Sequence, residues 1–532
     1  MSSFFQAFTE RALETPGAAA VVHPRSGQPV TTYGRLHSRA THYAHLIVSE
    51  TPPCALVPIL ANKSAESIAC SLGCLAAGRP FAWINKRLRA PQVAEIFSAA
   101  RASHCIIDAP GLMGLGSAMS DNAALRKVKW LVLADASAAG NAAMVGRALE
   151  RSTALGLVAR PIEADRAGRG LLPGIDPGQS ACCLFTSGST GGQKGVLIEE
   201  RDLLERARSE AEWYGLAETD RLLSVLPFSF DVGLNQLMSA LVSGACLVVQ
   251  ESWLPSDIVL TSARERITGI SAVPALWRDF FSFPVEIDAA ARSSLRYVTV
   301  SGGSLSAPEQ ERLQTRLHGV GIFKTYGQTE TFRSASLRPE ELSFRPGSVG
   351  RAYASVRVVI ADEDGKPCGP GETGEIVHLG LGTMLGYLNG VNGDKIRSFD
   401  GERAVFTGDY GYLDEQGYLF LKGRRDGMIK VAGNRVYPEE VAHQLRALPV
   451  VREVEVIALE ETAGERVLVA FVSVNRPMDE SELRKAAANR LPAYMVPRRF
   501  VLMREIPRLG NGKPDRVALM QMFSASTARA AG

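Results

Sequence analysis

The chain has 532 residues, of which 46% are hydrophobic and 22% charged, and its 59 Lys and Arg against 56 Asp and Glu leave a formal net charge of +3. The length excludes a small disulfide-stapled domain and allows three or four units of about 150 residues each. The near-cancelled charge lacks the concentrated basic face that nucleic acid demands and gives little attraction to an anionic membrane.

The opening segment MSSFFQAFTERALETPG carries Glu10 and Glu14 and no long apolar run, so it does not read as a signal peptide. No stretch approaches the roughly 20 apolar residues of a membrane span. The eight cysteines form no CxxC pair, which predicts buried free thiols in a reducing, cytoplasmic setting. From Thr31 to Leu133 the pattern alternates: helix over 33–46, strand over 55–61, helix over 64–77, strand over 80–84, helix over 91–100, strand over 104–107. Such alternation predicts a parallel sheet covered by helices. His37, His42 and His45 fall on the first helix without a metal-ligand spacing and read as surface residues, whereas Cys70 and Cys74 share a helix face and read as core. The Ala-, Gly- and Arg-rich stretch 134–174 reads as surface connection with room for one helix. Alternation resumes at Ala181 and continues past Val300.

After about Glu340, glycine and proline punctuate short strands and predict an antiparallel β unit. Beyond Gly423 a compact α+β module is expected, with helices over 438–448 and 481–491 and strands over 454–459 and 467–474. The expected fold class is therefore α/β: a large N-terminal body of α/β subdomains with a β-rich subdomain, and a small C-terminal α+β domain.

Chemistry is concentrated in separated motifs. Leu184–Val196, LFTSGSTGGQKGV, joins an apolar strand to hydroxyls and glycines and ends at Lys194. Glycines permit close backbone approach to a phosphate, successive N–H groups form an anion nest, and Lys194 adds a compact charge. It is not a Walker A loop, because Lys194 is followed by Gly195. Further along stand Ser301-Gly302-Gly303, Tyr326-Gly327-Gln328-Thr329-Glu330, Phe406-Thr407-Gly408-Asp409, Gly423-Arg424-Arg425-Asp426 and Leu509-Gly510-Asn511-Gly512-Lys513. Taken singly, each is ordinary turn, cap or basic-linker chemistry.

As an ordered set from about Thr31 to Leu519, these motifs resemble the AMP-forming adenylation superfamily of acyl- and aryl-CoA synthetases, amino-acid adenylation domains and luciferase. The resemblance implies ATP and Mg²⁺ as cofactors and an N-terminal core over 1–425 with a mobile C-terminal domain over 426–532. Thr186, Ser187, Gly188, Ser189, Thr190 and Gly191 would cradle phosphate. Gly302 and Gly303 would lie beside adenine, with Tyr326 stacked on it and Gly327 following. Thr329 would touch the α-phosphate and Glu330 would hold Mg²⁺. Asp409 and Arg424 would contact ribose, and Arg435 would lie near phosphate. Asp426 would be the hinge, with Lys430 and Gly433 serving a second half-reaction. Lys513 and Lys194 would neutralise charge as a carboxylate attacks the α-phosphorus.

The acyl pocket implied by the family comprises Asp231, Val232, Asn235, Leu276, Val300, Gly302, Thr325, Arg333 and Ser334. In amino-acid adenylation domains, Asp at this place pairs with an α-ammonium; the competing reading is an N-cap for the next helix. Arg333 reads either as the partner of an extra carboxylate or, more simply, as solvent-facing. The sequence departs from the family pattern at Gln193, at Glu200, where many members have His, and at Lys324. LPAYMVP (491–497) resembles carrier-linked adenylation domains, whereas YGQTE resembles CoA ligases. Only 19 residues follow Lys513, so a carrier is expected to be a separate protein. The leading expectation is an ATP-dependent ligase that activates an amino acid or similar small acid for a carrier-protein phosphopantetheine. A CoA ligase using free CoA, and a non-catalytic nucleotide-binding protein of the same fold, are the alternatives.

Overall fold

The computed structural model describes residues 2–24, 30–88, 90–115, 122–133, 141–154, 158–162, 172, 174–176, 178–187, 193–282, 293–388, 390, 395–424, 429–431, 434–462, 465–509 and 512–530. Two large sheets lie face to face across a layer of helices, and each is covered on its outer face by further helices. The sequence dictates this layering through strands that are apolar on both faces. In Arg221–Ser224, Leu222 faces the shared middle layer and Leu223 the outer helices; Val21 and Val22, and Leu247 and Val248, divide the same way. In the second sheet Ile59 and Leu60, Ile106 and Ile107, and the adjacent Cys182 and Cys183 divide between the middle layer and the opposite outer face.

The middle layer holds Phe4–Glu14, Tyr33–Glu50, Ala65–Ala76, Glu200–Trp213 and Asp231–Ser243. Ala65–Ala76 begins at a Ser64 capping box and is buried along its whole length. Its small residues permit this, since a Cβ on Gly73 would meet Tyr43 Cβ at 2.9 Å and the Ala40 carbonyl at 3.0 Å. Among the described residues no helix is long and apolar enough to cross a membrane.

The first sheet runs Arg351–Ala352, Ala335–Leu337, Gly321–Tyr326, Tyr297–Val300, Gly269–Ala272, Arg221–Ser224, Cys246–Val249, Ala19–Val22, Thr31–Thr32. From Gly321–Tyr326 to Ala19–Val22 every neighbouring pair is parallel. The second sheet is parallel from Ser180–Ser187 through Ala159–Ile162 and is extended by the antiparallel Gln193–Glu199 and Gly386–Tyr387. The antiparallel unit expected after Glu340 forms from Val356–Ala361, Gly374–Gly380, Glu402–Leu413, Ile396–Phe399 and Leu419–Arg424. The C-terminal unit packs Pro438–Arg446 and Glu480–Ala488 on a sheet of Val451–Thr462, Glu465–Val474 and Arg499–Leu502. Its last strand was not read from the sequence: it is four residues long and pairs in parallel with Glu465–Val474.

Three further readings need correction. The stretch 134–174 holds a strand, Ala159–Ile162, as well as the helix Asn141–Ala154. The surface reading of the histidines of Tyr33–Glu50 fails for His42, which is buried, while His37 and His45 are half-buried. His37 stacks on Phe5 at 5.6 Å, so it faces the helix Phe4–Glu14. Cys70 and Cys74 are core, as read; Cys54 is exposed and Cys368 partly so, while the other six thiols are buried.

Glu200 departs from the family pattern for a structural reason. It is 1% exposed, and its Oε1 accepts the Phe4 N–H at 2.8 Å, which ties the first helix to Glu200–Trp213. Its Oε2 has no hydrogen-bond partner, and burial pushes its pKa up to about 7, only partly offset by the Phe4 bond. The folded protein therefore holds an extra proton between about pH 4.5 and 7, and stability falls as pH rises through that window. Glu200→Gln keeps the acceptor and removes the charge. It is expected to match the parent below pH 4.5 and to gain about 1–3 kcal/mol above pH 7, measured by denaturant unfolding at both ends.

Candidate active site

The parallel strands of the first sheet all end at one edge. Arg221–Ser224 is followed in sequence by a neighbour on one side, Cys246–Val249, and then by one on the other, Gly269–Ala272. The connections reverse direction at this strand, and ligands of open α/β sheets bind in the crevice outside such a reversal. The loops that line it, with the first turns of the helices that follow them, carry Asp231 after Arg221–Ser224, Trp253 after Cys246–Val249, and Ala275 and Leu276 after Gly269–Ala272. Ser301-Gly302-Gly303 follows Tyr297–Val300, and Gly327–Glu330 follows Gly321–Tyr326.

The C-terminal unit reaches this edge. The Leu509 N–H donates to the Lys513 carbonyl at 2.8 Å and Gly512 N–H to the Leu509 carbonyl at 2.9 Å, which closes a turn. Arg508 donates to the Gly512 carbonyl at 2.8 Å and pairs with Glu453 at 3.0 Å. Gly512 has φ +80, and a Cβ there would lie 3.3 Å from Trp253 and 3.5 Å from Ala275. These two residues flank the reversal strand, so the turn that bears Lys513 sits across the crevice.

On one side a chain of contacts joins five of the expected residues, Lys194, Glu330, Tyr326, Asp409 and Arg424, through Tyr387, Lys395 and Gln328. Lys194 Nζ lies 5.6 Å from the centre of the Tyr387 ring. Tyr387 donates to Glu330 Oε1 at 2.8 Å, and Lys395 Nζ donates to the same oxygen at 2.8 Å and to Gln328 Oε1 at 3.1 Å. Gln328 donates in turn to Asp409 Oδ2 at 2.6 Å, which also accepts from Tyr326 at 2.8 Å. Arg424 lies 3.6 Å from Asp409 Oδ1. Gly408, at φ +73, turns the strand so that its N–H donates to Glu375 at 2.9 Å and Asp409 points inward. Burial raises Asp409, against Arg424, Gln328 and Tyr326. Burial also opposes ionisation of Glu330, but the Lys395 ammonium with its hydrogen bond, and the Tyr387 hydroxyl, outweigh it and hold the carboxyl below its usual range.

On the other side lie the expected acyl-pocket residues. Val232, Leu276, Val300 and Thr325 are buried, and Thr325 Oγ1 meets Ser301 Oγ at 2.7 Å. Gly302 has φ +72, and Gly303 approaches Pro274. Two readings are corrected here. Asp231 is not an N-cap: the N-cap of Asp231–Ser243 is Phe230, and Asp231 occupies the first helical position. Arg333 is not solvent-facing: it is 2% exposed and lies 3.3 Å from Asp231 Oδ2 and 3.6 Å from Glu210 Oε2. Asn235 donates to Glu210, and Ser334 bonds Thr331 and His378, so both are engaged within the wall. Lys324 is buried and donates to the Pro346 carbonyl at 2.7 Å, which makes it a clamp between loops.

Thr186 and Thr329 are half-buried at their strand end and turn. Gly188, Ser189, Thr190, Gly191, Asp426 and Gly433, and the side chains of Ser187, Lys430 and Arg435, lie outside the described residues. Sequence reasoning missed Tyr387, Lys395, Gln328 and Glu210. Gln328 stood within a quoted motif. Lys395 and Glu210 carry no motif, and only folding brings them to the site from distant segments.

An AMP-binding enzyme family model matches residues 8–388, and the model of the AMP-binding enzyme C-terminal domain matches 440–513. An indoleacetate–CoA ligase of Aromatoleum aromaticum is 32% identical over 359 residues, 67% of this chain and 69% of that protein. Bacitracin synthase 3 of Bacillus licheniformis is 27% identical over 97% of this chain, which spans 8% of that much longer protein. In fold, the chain is similar to a solved anthranilate CoA ligase, AuaEII, in complex with anthranoyl-AMP, with a TM-score of 0.83, 22% identity and coverage of 99% of this chain and 98% of that one.

Loss of Lys395 removes the ammonium that keeps Glu330 ionised. Lys395→Met is expected to cost about 2 kcal/mol above pH 4.5. The cost should shrink as pH falls and Glu330 protonates in both proteins. Thermal unfolding across pH 3–8 checks this.

Proposed function

Starting from a chain that belongs to the AMP-binding enzyme family, we propose that it activates a small carboxylic acid with ATP, releases pyrophosphate, and passes the acyl group from acyl-AMP to a pantetheine thiol. The observation that carries this reading is the Lys513 turn seated across the crevice against Trp253 and Ala275. A cation delivered there stands where an acid carboxylate and an α-phosphate would meet.

The attack of a carboxylate oxygen on the α-phosphorus needs alignment and charge neutralisation rather than a protein nucleophile. Lys513 and Lys194 would neutralise the charge that gathers on the phosphorus oxygens. Tyr326 would offer a ring to adenine, and Asp409 with Arg424 would take the ribose, exchanging some of their present mutual contacts for ligand ones. Mg²⁺ arriving with ATP needs hard oxygen donors, and Glu330, buried and ionised, fits as one of them once Lys395 yields its Oε1. Bound there, the ion would neutralise phosphate charge.

Division of labour is part of the same proposal. A core ending near residue 425 holds the nucleotide and acid, and the C-terminal unit turns about Asp426 to exchange Lys513 for a thiol channel. The acceptor is a pantetheine thiol, carried either by a separate carrier protein or by CoA. Similarity to the bacitracin synthase supports the carrier, and similarity to the CoA ligase supports CoA. An amino acid as substrate, the finer sequence expectation, rests on Asp231, and that carboxylate already has a partner.

ATP–pyrophosphate exchange across a panel of aryl, alkyl and amino acids tests the first step. Exchange with at least one class is expected, and none with any acid would sink the reading. Lys513→Ala is expected to lower that exchange by about 10²–10³-fold. Transfer of the labelled acyl group to CoA or to a phosphopantetheinylated carrier then separates the two acceptors.

A further inference from the structure

We infer that Arg333 is a specificity residue that occupies Asp231, so that the acyl pocket takes carboxylic acids bearing no ammonium beside the carboxylate and excludes α-amino acids. This rests on the adenylation reading and deepens it by naming the substrate class.

Asp231 opens the helix Asp231–Ser243 directly after the loop from the reversal strand, so it faces the crevice from its floor. There it is the acidic group available to a substrate ammonium. Its Oδ2, however, already accepts from Arg333 Nη1 at 3.3 Å. Arg333 also lies 3.6 Å from Glu210 Oε2, so its guanidinium bridges two carboxylates. The groups facing this bridge include Asn235, which donates to Glu210, and Arg206, Tyr214 and Tyr353, and Arg206 is buried and donates to the Arg333 carbonyl at 2.7 Å. Two arginines thus face two carboxylates, and the cluster has no net negative charge to offer a cation. Burial raises the Glu210 pKa against the pull of Arg333 and Arg206, which moves the balance further from a deficit of positive charge.

Arg333 is held in place by backbone. Its N–H donates to the Thr331 carbonyl at 2.6 Å across Phe332, which sits at φ +53. The next N–H, of Ser334, returns to the Tyr326 carbonyl at 2.9 Å. A bulky aromatic in that region is strained and persists only when the surroundings enforce it. Phe332 is fully buried in the middle layer, and that burial sets the tight turn and aims Arg333 inward. An ammonium brought to Asp231 would either stand against the like charge of the Arg333 guanidinium or displace it from a buried site where it pairs with Glu210, and either change costs more than a surface ion pair gains. The rest of the wall, Val232, Leu276 and Val300, is apolar and suits a neutral acyl body.

The full-length enzyme is assayed by ATP–pyrophosphate exchange with matched pairs that differ only in the α-amino group: 3-phenylpropanoate and phenylalanine, butanoate and 2-aminobutanoate, indole-3-propanoate and tryptophan. In every active pair the member without the α-amino group is expected to have at least tenfold higher kcat/KM. A preference for the amino member overturns the inference while leaving adenylation intact. Absence of exchange with all six acids overturns the adenylation reading and this inference with it. Arg333→Met should free Asp231 and narrow the ratio at least tenfold, through lower KM for the amino members. Arg333→Lys should restore the original preference. If Arg333→Met does not fold, Arg333→Met/Glu210→Gln removes the stranded carboxylate and is read the same way. Asp231→Asn should leave the ratio unchanged, and a loss confined to the amino members overturns the inference.

Discussion

The structure depends on the one-sidedness of a parallel sheet. Parallel strands need crossover helices, and every crossover delivers its loop to the same carboxyl edge. Because the chain steps first to one side of Arg221–Ser224 and then to the other, the loops part there and leave a crevice. Asp231, Ser301-Gly302-Gly303 and Gly327–Glu330 are brought to this place by that constraint, though they come from three separate segments of the chain. The rest follows: the second sheet sends in Lys194, the antiparallel unit sends in Asp409, and the C-terminal unit lays its turn across the opening.

Charge at the site is arranged in mutual pairs. Lys395 lies against Glu330, Arg424 against Asp409, and Arg333 between Asp231 and Glu210. Such pairing orients the carboxylates before any ligand arrives, and at Glu330 it also outweighs burial and holds the carboxyl below its usual range. A near-neutral total charge is consistent with this, because the cations that matter are single placed side chains. Burial elsewhere is met by backbone: Lys63 Nζ is fully enclosed and donates to the carbonyls of Ser224, Gln250 and Leu226, and its pKa is lowered to about 7 by desolvation. It anchors the ends of the strands that border the crevice.

The relation between the two halves of the site differs in kind. On the nucleotide side Glu330, Tyr326, Asp409 and Arg424 are joined through Tyr387, Lys395 and Gln328, to which no expectation assigned a role. On the acyl side two of the expected lining residues, Asn235 and Ser334, are spent on hydrogen bonds inside the wall. Family position therefore located the wall, while the side chains that set its character include Glu210 and the backbone turn at Phe332, neither of which a motif marks.

The sequence by itself determined the layers, the order of the motifs and the family. Strands apolar on both faces, small residues along Ala65–Ala76 and glycines at sharp turns are local properties, legible because each reports the backbone at its own position. It did not determine the partners of charged side chains. Asp231 read equally well as a cap or an ammonium site, and Arg333 as a solvent-facing residue, because both readings treat the residue alone. Only the tertiary structure brought Arg333, Glu210 and Asp231 from three segments into one buried cluster. In low dielectric, what a charge does is decided by the charge it meets.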